Sequence, residues 1–201
     1  VAHLAYQAWI RARHLDLVAE SYMHTHSGGP DLARVLRTLR IPKGSRVLDL
    51  GSGKGGACFT LARFPFAEVV GLEVSEHLIR IAEANASRLH VSTVRFVCGD
   101  AATFTALDLF THLYMFNPFS EIIVGKVMEN VRLSLERRPR DLTLVYKYPG
   151  TPAIVDQSIF TERRVMTRPN THPFHIFEHS HRERHGAFGA PRPRQRRAET
   201  V

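Results

Sequence analysis

Short apolar runs alternate with stretches of helical spacing over most of this chain. Arg46 to Leu50, Glu68 to Val74, Val94 to Cys98, Thr111 to Phe116 and Leu142 to Lys147 each read as a buried strand. Between the first two lies an apolar helix, Ala57 to Arg63. After the second, Leu78, Ile81, Ala82 and Asn85 recur at helical spacing and predict a helix from Glu76 to about Leu89. Another is expected from about Glu121 to Glu136. Strands that alternate with helices imply a mainly parallel sheet with right-handed crossovers.

Both ends depart from this rhythm. Leu4, Trp9, Leu15, Val18 and Tyr22 predict a first helix from about Ala2 to Met23. His24 to Pro30 reads as a turn or loop, and Asp31 is the candidate cap of a second helix carrying Leu32, Val35, Leu36 and Leu39. At the other end, Phe160 to Met166 and Phe174 to Glu178 look like strands. The link between them, Thr167 to Thr171, is too short for a helical crossover, so they should form an antiparallel hairpin. The expected fold class is α/β: a Rossmann-like three-layer sandwich, with a mainly parallel seven-stranded sheet ending in that hairpin and N-terminal helices. Its divisions are a helical region over 1–44 packing on the core, the core over 45–180, and a basic tail over 181–201.

Composition narrows the setting. At 201 residues, 44% hydrophobic and 23% charged, the chain is an ordinary globular domain with a sizeable core. No apolar run approaches the roughly 18–20 residues of a membrane span, and the first residues lack a signal-peptide layout. Cys58 and Cys98 sit in apolar stretches without metal-ligand spacing, so both are read as core thiols in a reducing cytoplasm. The net charge of +8 raises nucleic acid as a partner. Half of it lies from His181 onward, where six arginines face two glutamates among Pro and Gly. That segment cannot bury enough surface to fold. It is either a solvated extension or an electrostatic arm for RNA or DNA.

The chemistry concentrates at the end of the first strand. Asp49 precedes Gly51, Ser52, Gly53, Lys54, Gly55 and Gly56. Such glycines let a nucleoside cofactor approach the backbone at the carboxyl ends of the strands. Glu73 ends the second strand, where a carboxylate can take both ribose hydroxyls, and Asp100 follows the third, within reach of an adenine amine. Gly51, Gly53 and Gly56 also satisfy the dinucleotide pattern G-x-G-x-x-G. An anionic Asp49 at that turn opposes a pyrophosphate and suits the amino and sulfonium groups of S-adenosylmethionine.

Val47 to Gly55, Gly71 to Val74, Gly99-Asp100 and Phe116 to Phe119 together resemble successive motifs of the seven-strand class I methyltransferases. The resemblance covers roughly Tyr22 to Glu178. It implies a methyltransferase that uses S-adenosyl-L-methionine and releases S-adenosyl-L-homocysteine. It places the methionine end of the cofactor at Asp49, Gly51, Ser52, Gly53 and Gly55, the ribose on Glu73, and the adenine near Val74, Asp100 and Ala101. A subgroup resemblance, to non-SET lysine methyltransferases and uncharacterised bacterial proteins, brings Thr25 to the cofactor carboxylate.

The acceptor is expected beyond the fourth strand, at Asn117, Pro118 and Phe119. These residues are similar to the amine-methylating signature, a polar residue followed by two prolines and an aromatic, with one proline missing. Asn117 also borders the cofactor, and an amine nitrogen of protein, nucleic acid or a small molecule is the expected acceptor. The alternative is a non-catalytic Rossmann-like module that binds nucleic acid through its basic surface. Lys147 and Tyr148 close the fifth strand without an assigned role. His172, His175, His179, His181 and His185 cluster without a Cys or paired carboxylate, so no metal is expected. Glu136 to Arg140 reads as a solvated basic turn.

Overall fold

The computed structural model describes residues 28–116, 119–149, 155, 158–169 and 171–181. Seven strands form one sheet: β1 (Arg46–Leu50), β2 (Glu68–Glu73), β3 (Val94–Cys98), β4 (His112–Phe116), β5 (Leu142–Lys147), β6 (Thr161–Met166) and β7 (Phe174–His179). Their order is β3-β2-β1-β4-β5-β7-β6. β1 to β5 are mutually parallel, while β7 runs antiparallel between β5 and β6. The expected mainly parallel sheet with a closing hairpin is therefore present. The chain reverses direction across the sheet between β1 and β4, and ligands of such sheets lie in the crevice that opens there at the strand carboxyl ends.

Alternation along each strand builds two cores. Leu48, Leu50, Val70, Leu72, Leu113, Met115, Leu144 and Tyr146 face one side and pack on Val124, Val127, Met128 and Val131. These last belong to α4 (Glu121–Arg137). Val47, Val69, Tyr114, Val145 and Ile176 face the other side. They meet Leu32, Val35 and Leu36 of α1 (Pro30–Leu36) and Ala57, Cys58 and Leu61 of α2 (Gly56–Leu61). A strand covered on both faces has no polar side to show, which is why these runs read as continuous apolar segments.

α3 (Glu76–Arg88) starts where Ser75 Oγ accepts the Leu78 amide at 3.4 Å, satisfying one open donor of the first turn. Its buried Asn85 donates to the Lys54 carbonyl at 3.3 Å and ties the helix to the glycine loop.

Two readings need correction. Cys98, expected in the core, lies at the end of edge strand β3 and is exposed, whereas Cys58 is buried. Cys98 shares its face of β3 with Val94 and Phe96, which pack on the core, but as the last residue of the strand it lies past that cover, with Sγ 3.6 Å from the Val74 carbonyl. The basic turn is also not a solvated end throughout. Arg140 is half-buried and donates to the carbonyls of Phe110 (2.7 Å), Leu107 (2.9 Å), Ser134 (3.3 Å) and Arg138 (2.9 Å). It also reaches Ser134 Oγ at 3.0 Å. Arg137 pairs with Asp108 at 2.8 Å and holds that carboxyl well below its usual range, at about 2. The turn fastens the end of α4 to the loop before β4. The first predicted helix, Ala2 to Met23, and the tail beyond His181 lie outside the described residues.

Candidate functional site

The carboxyl ends of β1, β2 and β3 bring Asp49, the glycine loop, Glu73, Val74, Asp100 and Ala101 together along one rim. The loop after β1 turns through three left-handed glycines, Gly51 (φ 80°), Gly53 (φ 53°) and Gly55 (φ 86°), a conformation glycine enters without a Cβ penalty. Four of its amides are committed to the protein. Gly51 and Ser52 donate to the Leu72 carbonyl at 2.9 and 3.0 Å, and Gly55 donates to the Ser52 carbonyl at 2.9 Å. Gly53 donates to Glu73 Oε2 at 3.0 Å. The other oxygen of Glu73 accepts the Ser75 amide at 3.1 Å. Each carboxylate oxygen has two lone-pair sites, so Glu73 can brace the loop and still accept hydroxyls.

The three glycines serve different ends. A Cβ on Gly53 would meet nothing within 4 Å, which leaves the backbone open on that side. A Cβ on Gly55 would stand 2.8 Å from ring carbons of both Phe59 and Phe96. Gly55 is therefore required by packing against that edge-to-face ring pair, whose centroids lie 6.2 Å apart. Ser52 is buried as well. Its Oγ would touch a Cβ placed on Gly71, so the side chain points down onto β2.

Asp49 lies beneath the loop. It is 2% exposed, on the face of β1 that meets α2, and accepts a hydrogen bond from Cys58 Sγ at 3.2 Å. Burial lifts its carboxyl from 3.8 to about 7; the Cys58 bond opposes that rise and the nearby Glu73 charge adds to it. Burial and the Asp49 charge push the Cys58 thiol up in turn, so it remains a donor. Asp49 is thus not the simple surface anion its position before the glycines implied. Cys58, nine residues on, was legible only as a core thiol.

At the outer part of the rim, Val74 is 70% exposed, an apolar side chain standing free beside Glu73. Asp100 is exposed, and its Oδ1 accepts the Ala102 amide at 2.8 Å in a tight Asx turn. Ala101 faces inward and belongs to the core, so only its backbone borders the rim.

The residues expected on the acceptor side follow β4, past the switch point. Phe119 is partly buried against the core cluster under α4. Asn117, Pro118 and Thr25 lie outside the described residues. Lys147 is 6% exposed, with Nζ 4.3 Å over the Phe116 ring and 5.4 Å over the Phe174 ring. Desolvation there lowers its ammonium to about 8, with the Asp31 charge opposing. Tyr146 is packed in the core, and Tyr148 projects outward. Among the described residues no group of three or more His, Cys, Asp or Glu could hold a metal ion. No described helix is long and apolar enough to cross a membrane.

Comparison with known proteins agrees with this geometry. Residues 41–131 match the family described as "Methyltransferase domain". The chain is 28% identical over 167 residues to the uncharacterized methyltransferase YcgJ of Bacillus subtilis, which covers 81% of this chain and 62% of that protein. It is 35% identical over 92 residues to a protein-L-isoaspartate O-methyltransferase of Thermotoga maritima, covering 42% of this chain and 29% of that protein. It thus spans about three-fifths or less of the curated relatives it matches. A solved SAM-dependent methyltransferase of Aquifex aeolicus shares the fold at TM-score 0.60 and 17% identity, over 74% of this chain and 88% of that one. The PH0226 protein of Pyrococcus horikoshii does so at TM-score 0.58 and 21% identity, with the same coverage.

The resemblance to class I methyltransferases, read from the motifs, holds for the fold and for the matched segment.

Proposed function

We propose that this chain is an S-adenosylmethionine-dependent methyltransferase that transfers a methyl group to an amine nitrogen. One observation carries the reading beyond the fold. The amides of Gly51, Ser52, Gly53 and Gly55 donate to Leu72, Ser52 and Glu73 rather than standing free for a pyrophosphate, and two carboxyls stand under and beside the loop. A dinucleotide site needs those amides turned toward phosphate. A cation-bearing nucleoside fits the arrangement present.

When bound, S-adenosyl-L-methionine supplies an electrophilic methyl on a sulfonium, and S-adenosyl-L-homocysteine is left after transfer. Glu73 holds the ribose edge, Val74 offers an apolar surface to the adenine, and Asp100 borders its amine. Gly51 and Gly53 let the methionine portion approach the backbone, with Asp49 below. Ser52, Gly55 and Ala101 act through backbone or packing in this reading, and Thr25 reaches the cofactor carboxylate. In-line displacement asks little acid–base chemistry of the enzyme, so the acceptor side, with Asn117, Pro118 and Phe119, serves to orient the nucleophile. The enzyme works in the cytoplasm, and its Arg-rich tail makes nucleic acid a proposed partner.

Calorimetry with S-adenosylhomocysteine is the test. The intact chain should bind it, and Glu73→Gln, which keeps the shape but removes the charge, should weaken binding by about tenfold or more. No heat at high micromolar ligand sinks the proposal. Quenching of NADH fluorescence together with silence toward S-adenosylhomocysteine would restore the dinucleotide reading.

A further inference from the structure

Tyr148, the residue after β5, has φ 52°, and only His90 (φ 53°) shares a positive φ among the described non-glycine residues. An aromatic residue has no local reason to adopt this left-handed conformation, and strain of this kind persists where surrounding structure imposes it. The constraint is visible. The Tyr148 amide donates to the Pro173 carbonyl at 2.8 Å. Its ring lies 4.1 Å from that of His172, tilted by 42°. His172 lies 6.1 Å from Phe116, the last residue of β4. The outcome is a row of three rings, Phe116, His172 and Tyr148.

A ring placed there for packing would be covered. Tyr148 is instead 37% exposed although one side of it meets His172. The row stands at the carboxyl ends of β4 and β5, across the switch point from Glu73, Val74 and Asp100. β5 is two strands from β1, about 10 Å at ordinary strand spacing, so the row shares a rim with the cofactor residues without overlapping them. Behind Phe116, the Lys147 ammonium is fixed at 4.3 Å. Its charge, offset in part by Asp31, disfavours a second cation at this wall and favours electron-rich groups.

We propose that Tyr148 and His172 form the platform on which the methyl acceptor lies, and that the acceptor presents a planar, electron-rich ring rather than a protonated aliphatic amine. The inference rests on the methyltransferase reading for its chemistry, and on the strained, exposed ring pair for its place. Base-on-aromatic stacking tolerates many ring types, so the class is planar rings as such. A free heteroaromatic metabolite and a base in single-stranded nucleic acid would both supply it.

The experiment uses the full chain saturated with S-adenosylhomocysteine, which blocks the adenine position. The probes are 2-aminopurine riboside and a single-stranded hexanucleotide bearing one 2-aminopurine, whose fluorescence is quenched on stacking. Both should be quenched in the wild type. Tyr148→Ala and Tyr148→Gly should bind about tenfold more weakly, while Tyr148→Phe stays within about threefold. The glycine variant removes the ring and the backbone strain together, so a folding defect cannot mimic its loss. S-adenosylhomocysteine affinity should stay within about twofold in all three, because Tyr148 stands apart from Glu73, Val74 and Asp100 on that rim. Hexylamine should not compete. Tighter binding of the hexanucleotide assigns the ring to nucleic acid, and equal binding to a small molecule; either supports the platform. Absence of quenching of either probe at saturating protein, equal affinity in Tyr148→Gly, or competition by hexylamine overturns it. A wild type that fails to bind S-adenosylhomocysteine overturns the cofactor reading instead, and the Tyr148 ratio measured without it still decides the platform.

Discussion

Replacing Asp49 by asparagine separates the electrostatic cost of the buried carboxyl from its shape. The carboxyl is lifted from 3.8 to about 7 chiefly by burial. Below about pH 4 it is protonated in the folded and unfolded chain alike and contributes nothing. Between about pH 4 and 7 the unfolded chain releases the proton while the folded chain keeps it, so stability falls as pH rises. The slope is about 1.36 kcal/mol per pH unit, and the loss levels off above about pH 7 near 4 kcal/mol as an upper bound. Asparagine does not titrate. Its amide donors add a burial cost of their own, but that cost is independent of pH.

Urea denaturation of both chains at pH 5 and pH 7 should therefore show the wild type losing roughly 2–3 kcal/mol relative to the variant over this window. Other titrating groups are common to the two chains and cancel in the difference. Parallel stability curves, within about 0.5 kcal/mol, would falsify the buried-carboxyl account. The same group links to the cofactor. A ligand ammonium set over the loop favours the carboxylate, so binding of S-adenosylhomocysteine near pH 6 should release a proton from the wild type and not from Asp49→Asn. Calorimetry in buffers of different ionisation enthalpy reads that release.

Three further outcomes follow from the geometry. Gly55→Ala should destabilise the chain by about 2–4 kcal/mol in thermal melts, since its Cβ meets two rings in a left-handed turn, while Gly53→Ala costs about 1 kcal/mol; equal costs would contradict the division of roles. Arg140→Ala should cost about 1–3 kcal/mol by leaving the buried carbonyl of Phe110 without its donor and taking one of two donors from that of Leu107. Arg140→Lys should recover little of it, because an ammonium cannot reproduce the planar fork; full recovery in urea titration would refute the knot. Burial lowers His112 from 6.5 to about 4, so the unfolded chain gains a proton first as pH falls. Stability should be lost between about pH 6.5 and 4, by at most about 3 kcal/mol, and His112→Gln should flatten that limb.

The order of elements, the hinge glycines and the acidic positions at three strand ends were legible in the chain because each is a local matter. Period-2 apolar runs, helical spacing and a six-residue glycine turn are set by residues close in sequence. The antiparallel closing strand was legible too, since a short link cannot cross over. What the glycines do was not. Gly53 and Gly55 look alike in the chain, yet one faces open space and the other two rings brought by α2 and β3. Asp49 reads as an anion until Cys58 and the overlying loop remove its water. Arg140 reads as a surface charge until α4 and the loop before β4 surround it with carbonyls. Tyr148 carries no turn signal, and its left-handed backbone comes from Pro173 and His172, delivered by β7 from the far side of β5. Burial and charge environment depend on residues distant in the chain, so tertiary structure alone decided which of the legible residues are braced, buried or presented.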